Sequence, residues 1–177
     1  YLDWKILEGG DSGVYLRGSP QVQIWDTQYE NYFRHGAENG SGSLWNNKDH
    51  HRFPLTKADR PIGQWNTFHI TMIGEKVTIE LNGKLVFDDV MENYWQRELP
   101  IYPHGQIELQ NHGNTLFFRN LWIREIAADE ANATLAAREK AGFEYESVFN
   151  GRDFSGWQGP TDNPCETPRT HRSRISS

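Results

Sequence analysis

The chain has 177 residues and a net charge of −6, and it contains no run of basic residues. A negative chain without a basic patch is unsuited to the phosphate backbone, so no nucleic acid partner is expected. No segment approaches the roughly 18 consecutive apolar residues that a membrane-spanning helix requires. The single cysteine, Cys165, excludes an intrachain disulfide and a cysteine-based zinc site. The length suits one domain with an appendage.

The first part of the chain predicts three β-strands in close succession. Residues 2–7 and 12–17 are two predicted strands, and the Gly-Gly turn at 8–11 is typical of a hairpin connection between them. Arg17, at the end of the second strand, suits either an edge charge or a site residue. In the next strand, 20–26, alternation separates two sets of side chains: Gln21, Gln23 and Trp25 on one face, and Val22, Ile24 and Asp26 on the other.

Residues 27–63 form a long irregular stretch rich in Asn, Gly, His and Asp. Loops of more than about 15 residues in a compact domain tend to be functional lids or disordered segments. Trp45 lies among small polar residues with little local core to enter, which favours a role in ligand contact, although packing under the loop is the alternative. The run 48–51 contains Asp-His-His, but adjacent ligands on a flexible loop are poorly preorganised. We therefore expect a solvated loop there rather than a metal site.

Residues 67–87 predict a meander of three strands, 67–73, 76–81 and 84–87, with a structural role. The turn Asn82-Gly83 between the last two is a strong hairpin signal. The segment that follows, 88–97, concentrates polar and aromatic side chains, including Glu92 and Trp95.

The stretch 105–124 predicts two further strands joined by a turn at Gly113-Asn114. Alternation in the first strand places four polar side chains on one face: Gln106, Glu108, Gln110 and His112. A solvated outer sheet surface would show the same alternation. The choice of a carboxylate, two amides and an imidazole favours recognition of a polyhydroxylated ligand.

Several motifs together resemble the 3-keto-disaccharide hydrolase family. They are GQIELQNHG at 105–113, FRNLWIREI at 118–126, ENYWQR at 92–97, SGVYLRG at 12–18, PQVQIWD at 20–26, GSLW at 42–45, WN at 65–66 and LNGKLV at 81–86. The motifs occur in order over about residues 1–126. The resemblance implies an all-β fold, a concanavalin-like jelly-roll β-sandwich whose amino-terminal strand is missing from this chain.

The resemblance also implies a substrate that is a glycoside oxidised to a ketone at C3 of one sugar. A C3 ketone acidifies the C2 proton, so a general base can remove it and the C1 substituent can leave; water can then add. On this reading His112, Glu108 and Arg17 are the catalytic candidates. His112 and Glu108 are also the possible ligands of a divalent metal ion, and no nucleotide cofactor is expected. The substrate-binding candidates are Gln110, Gln23, Asp26, Trp45, Glu92, Trp95 and Arg119.

Three other functions fit parts of the same sequence. A two-carboxylate glycosidase of this fold would carry E-x-D-x-x-E on one strand, and Glu108-Leu109-Gln110 departs from that pattern. A non-catalytic carbohydrate-binding module would need the same fold, aromatic side chains and amides. A purely structural sandwich appended to a larger enzyme would bind no sugar.

The composition of the chain changes after residue 126. Residues 127–142 predict a linker helix, because they are rich in Ala and end at Gly142. Within 143–159, FNGRDFSGW resembles the opening motif of the same family, which indicates the start of a second copy or a returning strand. Residues 160–177 are expected to form a disordered tail. The chain opens without a Met, already inside a predicted strand, which indicates a fragment or a processed product. The expected localisation is periplasmic or secreted, in a bacterium, with a signal peptide that is not in this chain.

Overall fold

The structure is a computed structural model that describes residues 1–142. Within these residues the chain forms strands β1 (Leu2–Ile6), β2 (Asp11–Leu16), β3 (Ser19–Trp25), β4 (Asn66–Ile73), β5 (Lys76–Leu81), β6 (Lys84–Val90), β7 (Glu108–Leu109) and β8 (Leu116–Arg119), then helix α1 (Ala128–Gly142). Two short 3₁₀ helices, Glu30–His35 and Ala37–Asn39, lie in the long loop after β3. The predictions for 143–159 and 160–177 lie outside the described residues.

The strands form two antiparallel sheets that pack face to face. The larger sheet has the order β6-β5-β4-β1-β8, and the smaller sheet has the order β3-β2-β7. This arrangement confirms the predicted all-β sandwich. The predicted helix after the sandwich is also confirmed, as α1.

The core lies between the two sheets because alternate residues of each strand are apolar. Trp4 and Phe68 contribute its largest side chains from the larger sheet, and their ring centroids are 5.5 Å apart. Val14, Val22 and Ile24 contribute from the smaller sheet. Complete burial of one such side chain contributes about 1.5–3 kcal/mol to stability, so this inner layer fixes which face of each strand remains available to solvent.

The first predicted hairpin is wrong, although both of its strands exist. β1 pairs with β4 and β8, whereas β2 pairs with β3 and β7, so the turn carries the chain from one sheet to the other. The turn is tight: the Gly10 amide donates to the Leu7 carbonyl at 2.9 Å. A Cβ on Gly10 would lie 2.7 Å from Cβ of Ile6, which explains the glycine.

The predicted hairpin over 105–124 is wrong for the same reason. β7 pairs with β2 in the smaller sheet, and β8 pairs with β1 in the larger one. Leu116 and Phe118 of β8 pack against the core from the larger sheet, whereas Leu109 of β7 remains exposed. A turn sequence specifies a reversal of direction but not whether the reversed strands pair or stack.

The hairpin at Asn82-Gly83 is confirmed. Both residues have positive φ, 53° and 79°, as a two-residue hairpin turn with right-handed strand twist requires. β4, β5 and β6 pair in sequence order, as predicted for a meander.

Part of the long loop after β3 runs along the β3 edge of the smaller sheet. The backbone amide of Gln23 donates to the Ser43 carbonyl at 2.9 Å, and the Gly42 amide donates to the Gln23 carbonyl at 2.8 Å. The loop therefore extends this edge of the sheet, and every residue of β3 is buried. None of the helices within residues 1–142 has the length and apolar character needed to cross a membrane.

Candidate functional site

A cleft of about 490 Å³ lies on the outer face of the smaller sheet. Its floor consists of side chains that alternate with the core residues of β2 and β3 and of the segment that contains β7. In the registers of these strands, Asp11 is opposite Trp25, and Tyr15 is opposite Glu108. The same alternation that fills the core thus supplies a polar and aromatic floor.

Glycine at the centre of this floor makes room for an amide network. Gly13 is opposite Gln23, and a Cβ on Gly13 would lie 3.0 Å from Cγ and Cδ of Gln21. The Gln21 amide donates to Oε1 of Gln23 at 2.6 Å and to Oε1 of Gln110 at 3.2 Å. Three amide groups therefore share one surface at the base of the cleft, fixed by their mutual hydrogen bonds.

The amide network ends on the carboxyl group of Asp11. Gln23 Nε2 donates to Oδ1 of Asp11 at 2.8 Å. Burial raises the pKa of Asp11, and the Gln23 hydrogen bond and the nearby His112 and His35 offset part of that rise. A carboxyl group whose pKa is shifted toward neutrality is better suited to accept a proton than a solvated one.

Two imidazoles from distant parts of the chain line this end of the cleft. His112 follows β7, and His35 ends the first 3₁₀ helix. Arg34 also lines the cleft, and its Nε donates to Nε2 of His35 at 3.0 Å. Because Nε2 accepts this hydrogen bond, a neutral His35 carries its proton on Nδ1.

Trp45 forms part of the wall and is held on several sides. The guanidinium of Arg52 lies 3.6 Å from the Trp45 ring centroid. Trp25 and His35 meet the same ring edge-on, with centroids 5.1 and 5.7 Å away. The indole is thus fixed in place at the surface of the cleft, and its contact with a ligand stays a prediction.

The described residues do not supply a metal site. Within residues 1–142, no group of three or more His, Cys, Asp or Glu side chains is arranged to hold a metal ion. Glu108 lies beside Tyr15. Burial is the larger cause of the raised pKa of Tyr15, and the charge of Glu108 adds to it. The divalent metal at His112 and Glu108 stays a prediction, and these donors alone do not fit it.

Two sequence candidates have structural contacts away from the cleft. Arg17 occupies the β2–β3 turn with φ of 51° and donates from Nη1 to the Gly74 carbonyl at 2.7 Å. Asp26 accepts from the backbone amides of Gly9 and Gln28, both at 2.9 Å. These contacts fix turns, and neither side chain is among those that line the cleft.

Two further candidates also serve other contacts. Glu92 accepts backbone hydrogen bonds from residues 48–50 at 2.7 to 2.9 Å and pairs with Arg97 at 2.7 Å. Arg119 lies on β8 in the other sheet, where it pairs with Asp3 at 3.1 Å and lies 3.9 Å from the Trp65 ring centroid. Glu92 orders the loop beside the cleft, whereas Arg119 is on a different sheet.

The cleft does bring together five sequence candidates: Gln23, Trp45, Trp95, Gln110 and His112. Sequence reasoning missed Asp11, which was assigned to a turn, and the pair Arg34-His35, which lies in an irregular loop. A signal for Asp11 was present, because Asp11, Gly13 and Tyr15 alternate along β2. No local pattern marks Arg34 or His35.

Comparison with known proteins places this architecture in a family. The model of the 3-keto-alpha-glucoside-1,2-lyase-like domain matches residues 1–124. Two crystal structures of provisionally assigned glycosyl hydrolases from Parabacteroides distasonis ATCC 8503 are similar in fold. One is 23% identical, with a TM-score of 0.49, and covers 68% of this chain and 76% of its own. The other is 22% identical, with a TM-score of 0.51, and the match covers 67% of each chain.

At 22% identity, the structure with the TM-score of 0.51 bears on the fold alone. No curated protein matches this sequence. The family model spans most of the chain, in the same part that forms the sandwich and the cleft. The chain therefore belongs to the family of 3-keto-alpha-glucoside-1,2-lyase-like domains, a carbohydrate-active family.

Proposed function

We propose that this domain cleaves the glycosidic bond of 3-keto-glycosides by removing the C2 proton and expelling the C1 substituent. The observation that carries the proposal is the environment of Asp11. Its carboxyl has a raised pKa, lies at the end of an amide network and lines the cleft together with two imidazoles. Such a group is suited to act as a general base on a weakly acidic C–H bond.

In this mechanism Asp11 takes the C2 proton, and the electron pair of the C–H bond passes into the enolate of the C3 ketone. The enolate then collapses to a C1–C2 double bond, and the C1–O bond breaks with its electron pair on the leaving oxygen. His112 donates a proton to that oxygen. Addition of water across the double bond would complete hydrolysis.

The enolate needs positive charge and hydrogen-bond donors close to its oxygen. Arg34 and His35 line the cleft at the end where Asp11 lies, and their mutual hydrogen bond of 3.0 Å limits the freedom of both side chains. Donors that are already oriented stabilise developing charge without reorganisation during the reaction. We assign the enolate-stabilising role to this pair.

The amide network supports substrate binding. Gln21, Gln23 and Gln110 each carry donor and acceptor groups, which suits the hydroxyl groups of a sugar. Trp45 presents an aromatic surface fixed by Arg52. Together they form a polar floor with an aromatic wall, as expected for a pyranose site.

The test is release of aglycone from methyl 3-keto-glucoside, with the product followed by mass spectrometry. Elimination and hydrolysis differ by one water, so the product mass separates them. Turnover that is lost in Asp11→Asn and in His112→Ala supports the proposal. Binding of the glycoside without turnover by the wild-type protein would instead identify a non-catalytic carbohydrate-binding module.

A further inference from the structure

Trp95 is held in one orientation although it is largely exposed. Its side chain is 60% exposed at the rim of the cleft. Its Nε1 donates to the Gly18 carbonyl at 2.8 Å, and the Tyr94 ring meets it edge-on with centroids 4.8 Å apart. A large apolar ring that is fixed but not buried leaves one surface free for a partner.

The backbone beneath this ring is also fixed. Oδ1 of the buried Asn93 accepts from the amides of Trp95 and Gln96 at 3.1 and 3.0 Å, and its Nδ2 donates to the Pro100 carbonyl at 3.0 Å. The Tyr94 amide donates to Oγ of Ser19 at 3.4 Å. The rim segment is therefore anchored to the β2–β3 turn, and the ring is preorganised rather than free to rotate.

This rim lies at the end of the cleft remote from the proposed base. Tyr94 lies near Tyr15 and contributes to the rise of its pKa, after burial and Glu108. Tyr15 and Asp11 are four residues apart on β2, which corresponds to roughly 13 Å along an extended strand. That span exceeds the size of one sugar ring, so a ring bound at Asp11 leaves room toward Trp95.

We infer that Tyr94 and Trp95 form a binding subsite for the leaving group of the substrate. The inference rests on the proposed function, which places the reacting sugar beside Asp11. The ligand that this surface fits is a ring with a flat apolar face, either a second sugar ring or an aromatic aglycone. Arg97, with its guanidinium 5.2 Å from the Tyr94 ring centroid, supports Tyr94 from another side.

Three substrates of increasing leaving-group size test the inference: methyl 3-keto-glucoside, 4-nitrophenyl 3-keto-glucoside and a 3-keto-disaccharide. Trp95→Ala should reduce kcat/KM for the two ring-bearing substrates by about 3- to 10-fold more than for the methyl glycoside. Trp95→Phe, which keeps a ring, should restore part of that difference. A loss confined to the nitrophenyl or to the disaccharide substrate would assign the subsite to aromatic or sugar rings respectively.

Trp122→Ala is the matched control, because Trp122 is 71% exposed but does not line the cleft. It should leave the ratio of the three rates unchanged. An equal loss for all three substrates in Trp95→Ala, or the same selectivity change in Trp122→Ala, would overturn the inference.

Calorimetric binding of the three unoxidised glycosides separates this inference from the proposed function. If no 3-keto substrate turns over, the proposed function fails. Even then, the subsite inference predicts that Trp95→Ala weakens binding of the nitrophenyl glycoside, of the disaccharide or of both. Binding of the methyl glycoside should be weakened less. For each of the three ligands, an equal dissociation constant in the wild type and in Trp95→Ala would refute the subsite.

Discussion

Replacing Asp11 by Asn removes the negative charge of the proposed base and keeps an oxygen at the position where Gln23 donates. The hydrogen bond of 2.8 Å from Gln23 Nε2 can therefore persist, and the amide network has no reason to rearrange. General-base catalysis contributes about 100- to 10,000-fold to rate. We expect kcat for methyl 3-keto-glucoside to fall by about that factor.

The same substitution should not weaken the fold. Burial raises the pKa of Asp11 above its ordinary value of 3.8, so the folded protein favours the protonated carboxyl. The stability linked to that proton is fully present below pH 3.8 and is lost as pH rises through the folded-state pKa. At neutral pH, Asp11→Asn should therefore be at least as stable as the wild type, and the difference should disappear in acid.

The assay combines initial rates with thermal unfolding at pH 7 and at pH 3.5. The matched control is Asp3→Asn. Asp3 lies on β1 in the larger sheet, away from the cleft. Its carboxyl hydrogen-bonds to Thr67, Asn120 and Arg119, and these bonds lower its pKa although burial opposes them. Asp3→Asn should lose stability and keep activity. Wild-type kcat in Asp11→Asn, or an equal loss of kcat in Asp3→Asn, would refute the reasoning.

Three other variants test separate parts of the site. His112→Ala should abolish turnover with unchanged β content by circular dichroism, and wild-type rates would remove His112 from the mechanism. Glu92→Gln should destabilise the protein by about 2 kcal/mol in urea unfolding, because a charged acceptor of backbone hydrogen bonds from 48–50 is lost. Burial would raise the pKa of Glu92, but the backbone hydrogen bonds lower it below 4.5. The stability of the wild type should therefore fall as pH drops through that range, and the stability of the variant should change less. Parallel pH profiles of stability for the two proteins would contradict this. Gly13→Ala should raise KM, because its Cβ would lie 3.0 Å from Gln21 Cγ and force that side chain to move, and an unchanged KM would show that the amide network does not bind substrate.

The strands illustrate how far local pattern reasoning extends. Alternation of apolar and polar side chains predicted β1 to β6 within a few residues, and Asn82-Gly83 predicted its hairpin through the φ values that such a turn needs. Pairing was predicted wrongly at residues 8–11 and 113–114. Whether consecutive strands pair or stack depends on the face that each must bury, and that face is set by strands far away in sequence.

Local sequence patterns also predicted only part of the site. Gln23, Gln110 and His112 were predicted as site residues from the face they share on their strands, and the cleft contains all three. Four residues were predicted as site residues because they lie in motifs that resemble those of the family: Arg17, Asp26, Glu92 and Arg119. Such motifs also contain residues that stabilise turns and loops. Hydrogen bonds to Gly74 and to the 48–50 amides account for Arg17 and Glu92 without a ligand.

The sequence by itself determined the all-β class, the family resemblance and the polar face that becomes the cleft floor, because alternation and turn chemistry act over a few neighbouring residues. Only the tertiary structure decided that Asp11, His35 and His112 meet at one end of that floor. Those residues come from a strand, a loop helix and the segment after β7, so their approach depends on sheet order and on the loop that pairs with the edge of β3. The shifted pKa of Asp11 follows from burial in that assembled cleft, and no local sequence pattern specifies it.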